Sequence, residues 1–245
     1  MRWIVVYLLI MCLILPACGA SDPTTNPNGN EGIASIRTNN YANQQLDYFY
    51  YIPSTATEGQ KNSYPLLAMI PGLSGRGESF VSKETKLFAD TKGFVIIAPS
   101  FVWDEENWNS NQSYQYPSVW SGDALLKIID HFEKQNDVSV SSLYLLGYSA
   151  GAQFALRFCV WKPELCTACA AHGSGGSVFL REYIDVAFFV TVGKKDQDFR
   201  ISNYNSFCSS AKSLGIDVEC RQYDAGHGRT TEQMQDSLNF IARHS

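Results

Sequence analysis

The five residues Gly147-Tyr148-Ser149-Ala150-Gly151 place a hydroxyl between two glycines in a spacing that suits nucleophilic catalysis. A serine hydroxyl is a poor nucleophile at neutral pH, so it needs a base beside it and clearance from its own backbone. The glycines supply the clearance, because they let a strand and the following helix approach without Cβ overlap. The apolar run Leu143–Leu146 precedes the five residues and the helix-compatible run Ala152–Leu156 follows. Ser149 therefore falls on a strand-to-helix turn, with helix N-terminal amides and their partial positive charge at the reaction centre. A glycine turn with a bystander serine needs neither flank.

A base and an acid should follow further along the chain, in the order acid then histidine. His227, in Ala225-Gly226-His227-Gly228, comes just after an apolar strand, and its flanking glycines free the ring to reach Ser149. His131 lies inside a helical stretch, His244 is next to the last residue, and His172 precedes the place where the acid belongs. His172 either lines the pocket or stabilises a turn. The acid is expected in Val192-Gly193-Lys194-Lys195-Asp196, where a carboxylate can accept the second imidazole proton and stabilise the imidazolium. Asp198 sits two residues on in the same loop and stays open as the alternative; either aspartate can instead cap the next helix.

Developing negative charge on a carbonyl oxygen requires two backbone N–H donors. Ala150, directly after the nucleophile, is one candidate. Leu73, in Pro71-Gly72-Leu73-Ser74-Gly75-Arg76-Gly77, is the other, because a glycine-rich turn lets backbone amides face a ligand.

The elements that must hold these groups alternate. Strands are expected at Leu46–Ile52, Leu66–Ile70, Phe94–Ala98, Ser142–Leu146, Ala168–Ala171, Val186–Val192 and Val218–Tyr223. Helices are expected at about 78–91, 119–134, 149–160, 201–214 and 230–242. Such alternation predicts an α/β fold, a doubly wound and mostly parallel sheet with helices on both faces. Only a short segment separates Ala171 from Val186, which leaves little room for a lid.

On these motifs the chain resembles the poly(3-hydroxybutyrate) depolymerase and feruloyl or acetylxylan esterase group, within the dienelactone-hydrolase-like α/β-hydrolases. The resemblance runs from about Tyr48 to Ala242. It rests on Gly72-Leu73-Ser74-Gly75, Gly93-Phe94-Val95-Ile96-Ile97-Ala98-Pro99, the turn around Ser149, Gly193-Lys194-Lys195-Asp196 and Gly226-His227-Gly228. It implies the α/β-hydrolase fold and a serine esterase that cleaves carboxylic esters on carbohydrate or in polyester oligomers, with no metal or organic cofactor. It favours Asp196 over Asp198, since a Gly-x-x-Asp turn recurs here in related enzymes. Pro71 stands where the group commonly has a histidine. The same machinery would serve a prolyl-oligopeptidase-type peptidase, although no propeller domain precedes it, or an acyltransferase. A catalytically silent surface binding module would not need all three triad residue types.

Specificity would fall to the loop after the strand Phe94–Ala98, which carries Trp103, Trp108, Tyr114, Tyr116 and Trp120 among Asn and Gln. Aromatic faces with polar neighbours suit sugar rings, phenolic acyl groups or polymer chains, and equally they anchor a long loop. Trp103, Trp108, Trp120 and His172 are the candidate substrate-binding residues.

The 245 residues fit one domain, with 45% hydrophobic and 18% charged residues. The net charge of −5 is spread without a basic stripe, which argues against a nucleic-acid partner. Met1-Arg2 followed by an apolar run to Leu15 reads as a signal peptide, residues 1–17. Leu15-Pro16-Ala17-Cys18 resembles a bacterial lipobox, which implies a lipidated Cys18 and a membrane-surface address; ordinary secretion is the alternative. Residues 18–40 are then expected to be the lipidated cysteine and a flexible tether, and 41–245 the catalytic domain. Among the remaining cysteines, Cys208–Cys220 and Cys159–Cys166 are the expected disulfides, with Cys169 buried and free. The Cys166/Cys169 spacing lacks the further ligands that zinc requires.

Overall fold

The computed structural model describes residues 31–38, 45–54, 63–73, 75–101 and 112–245. Its eight-stranded sheet has the order β1-β2-β4-β3-β5-β6-β7-β8. In chain order the strands are β1 (Glu31–Arg37), β2 (Gln45–Tyr51), β3 (Ser63–Ile70), β4 (Val95–Pro99), β5 (Ser139–Tyr148), β6 (Cys166–His172), β7 (Ala187–Gly193) and β8 (Val218–Tyr223). β1 pairs with β2 and β2 with β4 in antiparallel fashion, while every pairing from β4 through β3, β5, β6 and β7 to β8 is parallel.

The central strands are apolar on both sides because both sides are covered. Leu66, Ala68 and Ile70 face one core with Val95 and Ile97, and Leu67 and Met69 face the other with Ile96 and Ala98. α3 (Gly122–Asn136), α4 (Ala150–Trp161) and α5 (Asp198–Ser213) cover the first face; α1 (Gly77–Phe80), α2 (Lys83–Lys92) and α6 (Thr231–Arg243) cover the second. The period-2 alternation along each strand thus sorts side chains between two helical layers, as the doubly wound reading requires.

Four expectations change. Glu31–Arg37, assigned to the tether, is the edge strand β1: Ala34 and Ile36 are buried, and the strand pairs along its length with β2. An alternating pair of small and branched residues is too short a signal to stand out beside a polar stretch. The helix expected over 78–91 is two, broken at Val81-Ser82, where the Ser82 hydroxyl caps α2 by accepting from the Thr85 amide. The helix expected from Val119 begins as a π-helical turn at Pro117–Ser121. Of the two expected disulfides, Cys208–Cys220 joins α5 to β8, whereas Cys159 and Cys166 are buried free thiols beside Cys169. Burial pushes the Cys159 thiol, on α4, well up from its ordinary value. Between β6 and β7 the chain crosses without a helix, which leaves no lid among the described residues. Residues 1–30, with Cys18, lie outside the described residues.

Candidate active site

β5 ends at Tyr148 and α4 begins at Ala150, so Ser149 alone makes the turn, at φ 55° and ψ −116°. Such a backbone is strained for a residue with a Cβ, and it persists because its surroundings over-determine it. The Ser149 amide donates to the His172 carbonyl at 2.8 Å. A Cβ on Gly151 would overlap the carbonyl oxygens of Ile70 and Pro71, and one on Gly147 would overlap Gly151 itself. Strand, turn and helix therefore close on one another only with glycine at both positions.

The three sequence-predicted polar residues meet at this turn. His227 Nε2 lies 2.9 Å from Ser149 Oγ, and His227 Nδ1 lies 3.0 Å from Asp196 Oδ2. A carboxylate only accepts, so Nδ1 carries the proton and Nε2 of the neutral ring is free to accept from the serine hydroxyl. The Asp196 side chain is fully sealed, while that of His227 is 34% exposed. Asp196 Oδ1 accepts from the Gln197 amide at 2.7 Å and has Arg200 Nε at 3.6 Å. Asp198, the alternative acid, is exposed on the first turn of α5. The turn of Gly193 makes the register possible, because a Cβ there would overlap the Ala225 and Gly226 carbonyls of the histidine loop.

Ala150 is the first residue of α4, so its amide has no helical acceptor. The Gly72-Leu73 backbone passes the nucleophile: a Cβ on Gly72 would stand 3.3 Å from Ser149 Cβ. Leu73 is half-buried against the core. The Pro71 carbonyl accepts from the buried Tyr114 hydroxyl at 3.2 Å, which ties the end of the aromatic loop to this turn.

The candidate substrate-binding residues separate. Trp120 is only 4% exposed, packs edge-on against Phe101 and donates to the Gln112 carbonyl; it anchors the loop and does not face solvent. His172 is 1% exposed, with Nδ1 2.7 Å from Thr191 Oγ1, so it braces the site from beneath and does not line a pocket. Trp103 and Trp108 lie outside the described residues. An indole in a run of polar residues gives no sign of which way it turns.

Four supporting residues escaped the sequence reading. The Tyr148 hydroxyl donates to the His227 carbonyl at 2.9 Å, and its ring stacks on both His227 and His172. Arg200 donates to the Gly173 carbonyl at 2.9 Å while its guanidinium faces Asp196; burial lowers its pKa and Asp196 opposes that. Arg229 lies over the rings of Phe80 and Tyr148. Arg157 donates to the Gln115 and Ser177 carbonyls, joining the aromatic loop to the β6–β7 crossing. Positions next to a motif, such as Tyr148, or four residues from it on a helix, such as Arg200, were the available signal.

Burial pushes the His172 imidazolium pKa down to about 4 from an ordinary 6.5. The folded state therefore refuses a proton that the unfolded chain accepts, so stability is lost as pH falls from about 6.5 towards 4. The shift is equivalent to about 3 kcal/mol, to order of magnitude. Comparing urea midpoints of the native chain and His172→Phe at pH 7 and pH 4.5 checks this. The native chain should lose ground to the variant at the lower pH; a gap independent of pH would exclude the assignment.

An eight-stranded doubly wound sheet with a serine elbow, an acid after β7 and a histidine after β8 defines an α/β-hydrolase. The chain belongs to the dienelactone hydrolase family, which it matches over residues 54–244. No curated protein sequence matches it. Among solved structures it resembles an S-formylglutathione hydrolase from Agrobacterium tumefaciens at 14% identity and TM-score 0.69, over 90% of this chain and 97% of that one. It also resembles a ferulic acid esterase from Anaeromyces mucronatus in complex with ferulic acid, at 12% identity and TM-score 0.67, over 93% and 96%. A poly(3-hydroxybutyrate) depolymerase from Bordetella parapertussis follows at 16% identity and TM-score 0.60, over 87% and 88%. At these identities the likeness is one of fold.

Proposed function

We propose that the protein is a serine esterase that hydrolyses carboxylic esters by a two-step acyl transfer. The observation that carries this is the continuous contact from Ser149 Oγ to His227 Nε2 and from His227 Nδ1 to Asp196. In the first step His227 takes the Ser149 proton as the oxygen attacks the ester carbonyl. The Ala150 and Leu73 amides receive the oxyanion, and Asp196 holds the imidazolium that forms. His227 then gives the proton to the departing alcohol, which leaves an acyl group on Ser149. Water repeats the sequence and releases the acid. Every proton and bond is accounted for by these groups, the ester and one water.

The absence of a lid among the described residues supports bulky esters: acyl or feruloyl groups on carbohydrate, or hydroxyalkanoate oligomers. The fold neighbours include a ferulic acid esterase and a poly(3-hydroxybutyrate) depolymerase, which makes those two ester types the first to assay. Short-chain p-nitrophenyl esters should be turned over, followed by a panel of acetylated sugars, feruloylated sugars and hydroxyalkanoate oligomers. Equal cleavage of peptide amides would replace the esterase by a peptidase. Preferential transfer to an alcohol over water would make it an acyltransferase.

The leader sequence supports a lipid anchor on Cys18, placing the enzyme on a bacterial membrane surface. Metabolic labelling with a palmitate analogue in a bacterial host should mark the native chain and miss Cys18→Ala. Equal labelling of both would move the lipid away from Cys18, and no labelling of either would leave a secreted enzyme instead.

A further inference from the structure

Past Ala225, the loop that carries His227 has little packed against its backbone. A side chain added at Gly228 would meet nothing within 4 Å, and one at Gly226 would meet only the Lys195 carbonyl, at 3.8 Å. Hydrogen bonds must therefore hold the loop. Ala225 is tied twice: its amide donates to the Tyr223 carbonyl at 2.8 Å, and its carbonyl accepts from the Lys195 amide at 2.9 Å. From Gly226 to Arg229, the one main-chain group with a hydrogen-bond partner among the described residues is the His227 carbonyl. It accepts from the Tyr148 hydroxyl at 2.9 Å.

Tyr148 is itself firmly placed. It is the last residue of β5, in register with His172 of β6, and it is bonded covalently to Ser149. Its ring lies 5.2 Å from the His227 ring at 27°, and the Arg229 guanidinium lies over it at 5.3 Å. Burial raises its pKa, so the hydroxyl keeps its proton and donates. One side chain thus joins the backbone of the nucleophile to the backbone of the base. The same strand holds a comparison. Tyr144, four residues earlier and in the same core layer, donates from its hydroxyl to the His244 carbonyl at 2.9 Å, where no triad residue lies.

We propose that Tyr148 is a positioning residue, whose hydroxyl fixes the His227 carbonyl and so sets how the base stands over its neighbour Ser149. Asp196 holds the far side of the imidazole through Nδ1, but a ring held at one atom can still swing about that contact. Fixing the carbonyl of the same residue removes that swing and keeps Nε2 at 2.9 Å from Ser149 Oγ. The hydroxyl is spent on the loop and not on the ester, so its loss should appear in kcat and leave KM in place. This rests on His227 being the base of the proposed esterase.

The test compares Tyr148→Phe with Tyr144→Phe. Each keeps its ring and loses one hydroxyl-to-carbonyl bond of the same length from the same strand. A purely structural hydroxyl predicts the same outcome for both, a lower Tm and an unchanged kcat. Positioning predicts that they part. Tyr148→Phe should lower kcat about tenfold with KM within about twofold, a loss of the size that small misplacements of a reacting group produce. Tyr144→Phe should keep kcat within about twofold. The downfield NMR resonance of the His227 Nδ1–H should broaden or move in Tyr148→Phe and stay in place in Tyr144→Phe. An unchanged kcat and resonance in Tyr148→Phe, whatever its Tm, overturns the proposal. So does a raised KM at unchanged kcat, which would put the hydroxyl on the substrate. Should Tyr148→Phe not fold, Tyr148→Leu takes its place with the same readings. A native chain without Ser149-dependent turnover removes the esterase reading alone, and the His227 resonance then decides the role of Tyr148 by itself.

Discussion

Replacing Ser149 by alanine should lower kcat for a short-chain p-nitrophenyl ester by about 10⁴-fold or more, the scale on which loss of a nucleophile is felt in serine hydrolases. The remaining rate would come from binding and oxyanion stabilisation, neither of which the substitution touches. The fold should survive. Ser149 Oγ contributes one hydrogen bond, to His227, while the turn is held by the Ser149 amide on the His172 carbonyl and by the closeness of Gly147 and Gly151. The strain at φ 55° adds a second expectation. Ser149→Gly relieves the backbone and should raise stability by about 1 kcal/mol while losing the same activity. Activity and stability would then move in opposite directions at one residue, as measured by turnover and by urea unfolding. A Ser149→Ala variant that keeps its rate would remove the nucleophile from this turn.

The second large effect separates two aspartates that sequence left two residues apart. Asp196→Asn keeps the size of the side chain but can donate to His227 Nδ1. That favours the tautomer with its proton on Nε2, where the serine hydroxyl needs an acceptor. The expected loss in kcat is about 10⁴-fold. Arg200 and the Gln197 amide are aimed at the same carboxylate, so the neutral amide also leaves a guanidinium without its counter-charge. Asp198→Asn should change kcat by less than about twofold. Its exposed carboxylate sits only in the first turn of α5, where such a charge contributes about 0.3–1 kcal/mol to the helix. Parallel pH–rate profiles of the two variants check the assignment; an inactive Asp198→Asn beside an active Asp196→Asn would reverse it.

The parts of the site that sequence made legible are those written in consecutive residues. An elbow has to be glycine, any residue, serine, any residue, glycine, because Gly151 touches the Ile70 and Pro71 carbonyls across the sheet. Apolar runs such as Leu66–Ile70 and Val95–Ala98 can only be strands covered twice, and that fixes the sheet. Asp196 and His227 were legible by order along the chain, since each follows a strand. What was not legible depends on neighbours far apart in sequence. Trp120 and His172 look alike as candidates for contact with substrate. Phe101 and Thr191 decide otherwise by burying them. Cys159 and Cys166 flank the end of one helix, yet both are buried free thiols, as is Cys169, and among the described residues only the distant Cys208–Cys220 pair is joined. β1 was hidden for a related reason. An edge strand that buries only Ala34 and Ile36 gains its stability from β2, a partner that composition does not announce.

The central claim is that Ser149 is the residue that becomes acylated. Reaction of the native chain with a fluorophosphonate, followed by digestion and mass spectrometry, addresses it directly. A single phosphonyl adduct on the peptide containing Gly147-Tyr148-Ser149-Ala150-Gly151, absent from Ser149→Ala, is the predicted result. An adduct on a different serine, or none from a folded chain that still hydrolyses esters, would contradict it.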